Sequence, residues 1–189
     1  MIFFLATLTC GLAAIIEKKD GMFNRSLVSG VTILQIMISH LITQFCVITV
    51  QTTIVFCVMF TLFDIPCIGS PILAFMLVIL LTISGMSIGL LLSVLFNEEK
   101  NAMLTAIAAF LPNYMLAGLI WPFESLPYGL KLIGYVLPAT LSGEALRSIL
   151  LRGWGIKYTT VWLGFVCSLI WIIVPWLLLF LIQRYKLKV

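Results

Sequence analysis

His40 is the only imidazole in this chain of 189 residues, and it limits what chemistry the side chains can do. A general base or a metal ligand needs a carboxylate or a second imidazole close by, usually on the same helix face. No carboxylate stands at such a spacing beside His40, which reads instead as a hydrogen-bonded histidine between helices. The sequence contains no HExxH, no GxSxG and no acidic pair within an apolar run. Ser29-Gly30, Ser84-Gly85 and Ser142-Gly143 are isolated pairs, and a serine nucleophile inside a membrane would have His40 as its sole candidate partner. No GxxxxGK(S/T) run is present to cradle nucleotide phosphates. Cys10, Cys46, Cys57, Cys67 and Cys167 show no CxxC or CxxH spacing. Four of them lie in apolar runs and are expected to be small buried hydrophobes, with Cys67 in an outer loop. The expectation is a non-enzyme with no catalytic residue, metal ligand or cofactor site of its own.

A second set of polar residues could touch a cargo rather than transform it. His40, Thr43, Gln44 and Gln51 fall on one side of a helix turning 100° per residue, and such a stripe would face other helices or a hydrated path rather than lipid. Asn113 follows Pro112 inside an apolar run. The proline removes a backbone hydrogen bond, and Asn113 is expected to pack, or else to meet a substrate. Glu144 and Arg147 are three residues apart on an expected helix over 141–151. Local charge pairing is the structural reading there, a gate or headgroup contact the functional one.

The elements that must position these groups are membrane helices. Of the residues, 62% are hydrophobic and 10% charged, with a mean hydropathy of +1.21, a composition that excludes a soluble domain and nucleic-acid binding. Apolar runs cover 1–16, about 38–63, 71–96, 102–121 and 160–182, and all but the first are expected to span. The first would reach only about 24 Å, which reads as a helix that has lost its start; no positive n-region marks it as a signal peptide. Alternating sides place Lys18, Lys19, Arg25, Lys100, Arg184, Lys186 and Lys188 on the cytoplasmic side, with Lys131, Arg147, Arg152 and Lys157 opposite. Gly85 and Gly89 form a small-xxx-small ridge for close helix packing. Trp162 fits an outer aromatic belt. Residues 17–30 form an elbow in which Phe23 and Leu27 share a helix face, expected at the inner membrane surface. Residues 118–154, broken by Pro122, Pro127 and Pro138, are too interrupted to span and are expected to re-enter the membrane at its outer face.

Three stretches resemble a known family. They are Glu17 through Gln44, with Gly21, Arg25, Ser26, Val28 and Gly30 in the elbow; Gly118-Leu-Ile-Trp121-Pro122 with Glu124 and Pro127; and Leu137-Pro138 with Thr140, Leu146-Arg147-Ser148-Ile149 and Arg152-Gly153-Trp154. In order and spacing the chain resembles the transmembrane domain of a type-2 ABC exporter of the G and H subfamilies, its wording closest to H-like half-transporters. The resemblance implies an all-α polytopic bundle over 1–189, with five of six spans and re-entrant outer helices over 122–154 before the last span at 160–182. It implies a coupling helix carrying Lys18, Lys19, Phe23, Arg25 and Leu27, docked on a nucleotide-binding domain that holds the ATP and magnesium outside this chain. It implies a second permease half, as homodimer or heterodimer, in a multi-pass protein of the plasma membrane. Gln44, Gln51, Asn113, Glu144 and Arg147 are then the candidates for the translocation path or gate. Membrane lipids are expected partners, and lipid or another amphipathic small molecule the expected cargo. A non-transporting membrane scaffold is the alternative, which would need neither the elbow nor the broken outer segment.

Overall fold

A computed structural model describes residues 2–20, 25, 28–61, 63, 67–96, 98–117 and 127–186. Seven helices account for most of them: α1 (Ile2–Lys19), α2 (Ile33–Thr61), α3 (Pro71–Leu95), α4 (Glu99–Leu116), α5 (Tyr128–Val136), α6 (Pro138–Arg152) and α7 (Thr159–Lys186). No strand occurs among the described residues.

Proline and glycine punctuate the helices. Pro71 and Pro138 occupy first-turn positions of α3 and α6, where a missing N–H leaves no bond unmade and the fixed φ is already helical. Gly153 ends α6 with φ 68°, a left-handed conformation that favours glycine, and the Trp154 N–H then donates back to the Ser148 carbonyl at 3.2 Å.

Helix α3 is the hub, in contact with α1, α2, α4, α6 and α7. Its small residues make that possible. A Cβ on Gly85 would stand 2.5 Å from the Phe3 carbonyl oxygen, and one on Gly89 2.4 Å from that of Thr7, so the glycine ridge is where α1 lies backbone against backbone. Ser84, Ser87 and Thr82 are buried along α3, and each hydroxyl donates to a carbonyl of its own helix at 2.6–2.9 Å, which satisfies all three donors. Helices α6 and α7 meet in the same manner: a Cβ on Gly164 would lie 2.5 Å from that of Ala145, and the Ser142 and Ser168 hydroxyls are 2.9 Å apart.

Polar contacts gather the helix ends at two poles. At one, His40 Nε2 donates to the Glu17 carboxylate at 2.7 Å, and Lys19 Nζ to Glu99 at 3.1 Å, tying the ends of α1, α2 and α4 together. At the other, the Ile68 N–H donates to the Leu150 carbonyl at 3.0 Å, and Gly69 lies so close to Ile149 that a side chain there would collide with its carbonyl.

Among the described residues, helices α2, α3 and α7 are long and apolar enough to cross a membrane. Of the run at 102–121, residues 102–116 lie in α4, and 118–121 fall outside the described residues. Two sequence expectations change. Cys46 and Cys57 are exposed on α2, while Cys10 and Cys167 are buried, because α2 turns only one face to the bundle. The helix expected at 141–151 begins earlier, at Pro138.

Candidate functional site

Helices α5 and α6 form a hairpin that folds back into the bundle. Ser142 of α6 faces Ser168 of α7, and Ala145 faces Gly164, so α6 runs antiparallel to α7 with its first turn deep against it. The hairpin apex, Val136-Leu137-Pro138, meets Trp171, twelve residues into α7 and therefore roughly 18 Å along it. Backbone that leaves a helix at such depth must be satisfied by protein. Trp171 Nε1 donates to the Val136 carbonyl at 2.8 Å, Cys167 Sγ lies 3.9 Å from the Leu137 carbonyl, and the Leu137 N–H donates to Gly134 at 3.1 Å.

Trp171 also separates two hollows. On one side a groove of about 430 Å³ runs between α5 and α7, walled by Val136, Leu163, Cys167 and Ile170 among others. On the other a cavity of about 160 Å³ lies inside the bundle, lined by α1, α3, α4, the apex and Trp171, with Phe3, Phe4, Phe110 and Asn113 in its wall. Phe4 and Phe110 stack at 4.0 Å between centroids. Asn113 is 7% exposed, and its Oδ1 has no hydrogen-bond partner among the described residues. An unsatisfied buried amide oxygen costs about 1–3 kcal/mol.

The remaining path candidates stand elsewhere. The inward face of α2 is Ile48, Thr52 and Phe56, all buried. At 100° per residue, Gln44 and Gln51 lie on the flank beside that face, half-buried, with Thr43 exposed next to them. His40, on the same side, bonds Glu17 of α1, as a hydrogen-bonded histidine between helices. On α6, Glu144 is half-buried and Arg147 exposed, and they form no ion pair; the ion pairs among the described residues are Lys19–Glu99 and His40–Glu17. The expected local pairing is therefore absent, and the end of α6 is finished by Gly153 and by Arg152, whose guanidinium lies 5.0 Å from the Trp154 ring. Asn113, the α2 glutamines and the α6 charges thus occupy three separate places.

Of the elbow residues, Lys18 and Lys19 form the last turn of α1, and Arg25 is exposed, its carbonyl accepting from the Ser29 N–H at 3.1 Å across one helical turn. Phe23 and Leu27 lie outside the described residues, as do Trp121, Pro122 and Glu124 of the central motif. Sequence reading missed Trp171 as the apex anchor and Glu17 and Glu99 as bracing partners. Their contacts join residues 35, 23 and 80 positions apart, and no local spacing signals them.

The model of the ABC-2 type transporter family matches residues 1–151. ABC transporter G family member 20 of Dictyostelium discoideum is 32% identical over 157 residues, 83% of this chain, and G family member 23 of the same organism is 28% identical over 158. "Probable multidrug ABC transporter permease YbhR" of Escherichia coli strain K12 is 27% identical over 136 residues, 72% of this chain. The chain spans 22% of the length of the two Dictyostelium proteins and 37% of the bacterial one. No solved structure matches it.

Proposed function

The chain belongs to the ABC-2 type transporter family, and from that membership we propose that it is the membrane-spanning permease part of an ATP-driven exporter of lipid or other amphipathic small molecules. The ATPase activity lies in a nucleotide-binding domain outside these residues, which holds ATP and magnesium. A second permease half completes the path, and the plasma membrane is the proposed location.

The observation that carries this reading is the brace at the inner pole. Glu17–His40 and Lys19–Glu99 bind the bases of α1, α2 and α4 to one another through the first residues of the 17–30 elbow. A push on that elbow would be passed to three helices at once, as a lever between a motor and a bundle requires. Arg25, exposed in the elbow, is suited to an acidic partner surface. The cargo class rests on the hollows beside Trp171, whose walls carry no charged side chain among the described residues. Gln44 and Gln51, half-buried on the flank of α2, support a path shared with a second permease half.

The test is co-purification from the native membrane with an ATP-hydrolysing partner, or as part of the full-length protein. Arg25→Glu or Phe23→Ala should reduce the association, or the coupling of hydrolysis to export, at least tenfold. Unchanged association and coupling in both variants would remove the elbow from the mechanism and favour a scaffold.

A further inference from the structure

We propose that the cavity of about 160 Å³ inside the bundle is a binding site for a small neutral ring compound carrying one hydrogen-bond donor, such as a phenol or a cyclic alcohol, held through the Asn113 amide oxygen. The volume sets the size: apolar cavities near 150 Å³ take a single six-membered ring. Phe3, Phe4, Phe110 and Trp171 set the character of the walls, offering aromatic faces and edges to such a ring.

The polar lining then sets the chemistry. Thr7 Oγ1 already donates to the Phe3 carbonyl at 2.9 Å, and Trp171 Nε1 to that of Val136 at 2.8 Å. Asn113 Oδ1 alone among these groups has no partner, in a side chain that is more than nine-tenths buried. An amide oxygen accepts, so the occupant must donate. Among the described residues no ionisable side chain lines the cavity, so nothing there offsets the cost of burying a charge and a neutral ligand is favoured. The site needs only the folded bundle, and it stands whether or not the chain exports anything.

A ¹⁹F NMR titration of the full chain in detergent micelles, with empty micelles as the partition reference, tests the site with 4-fluorophenol and fluorobenzene. The expected result is saturable binding of 4-fluorophenol, about three- to tenfold tighter than fluorobenzene, the range of one net hydrogen bond. Asn113→Leu should abolish or invert that preference. Should this variant fail to fold, competition on the unmodified chain decides: cyclohexanol must displace 4-fluorophenol and cyclohexane must do so several-fold less well. Partition into the micelle alone, equal affinity for both probes, equal displacement by both competitors, or a preference that survives Asn113→Leu would each overturn the proposal.

Discussion

Helices α3 and α2 are both apolar enough to span a membrane, yet the bundle treats them oppositely. Half of the spanning window of α3 is buried within the chain, against 17% for that of α2. The difference lies in side-chain size. Lipid tails are as apolar as leucine, so apolarity alone drives no helix association in a membrane; close backbone approach and hydrogen bonds do. Gly85 and Gly89 give α3 that approach, with Ser84 and Ser87 buried beside them. Helix α2 offers one narrow inward strip, and Ile42, Val47, Val50 and Ile54 point away from it. One helix holds the chain together, while the other leaves most of its surface uncovered by the described residues of the chain.

The largest effect that would test this contrast is expected from Gly89→Leu. Its side chain would enter the Thr7 backbone, and overpacking at the upper end of its usual range would cost about 3 kcal/mol or more. The folded, monodisperse peak in size-exclusion chromatography should be lost; wild-type yield and melting temperature would show that the ridge is not the hub. A smaller effect is expected from His40→Ala, which removes the polar tie at the foot of α2 and leaves the Glu17 carboxylate without its 2.7 Å partner. Because Glu17 is partly solvated, the loss should be about 1–2 kcal/mol, read as a melting temperature lowered by a few degrees. The smallest concerns Gln44→Leu with Gln51→Leu. Thermal stability of the single chain should hardly move, since both side chains lie on the flank. Association with a second half should weaken roughly sevenfold, from about 0.6 kcal/mol per interhelical hydrogen bond. A fall in single-chain stability with unchanged association would reverse the roles given to α2.

Much of the architecture was legible before the coordinates. Apolar run lengths located the helices, and the Gly85–Gly89 ridge announced a close contact, because these are local properties of a chain in hydrocarbon. The charges of α6 were harder to place. A three-residue spacing makes Glu144 and Arg147 neighbours on a helix without obliging them to pair, and at a wet surface such a pair gains little.

Composition and pattern by themselves determined that the polypeptide is a helical membrane protein. Which faces meet was decided only by the packed bundle: that His40 reaches Glu17, that Trp171 secures the hairpin apex, and that Asn113 lines a cavity with its Oδ1 unpartnered among the described residues. Each of these joins helices far apart in the chain. Hydrophobic period fixes a helix and its depth in the bilayer, whereas its rotation about its own axis is set by the neighbours it packs against.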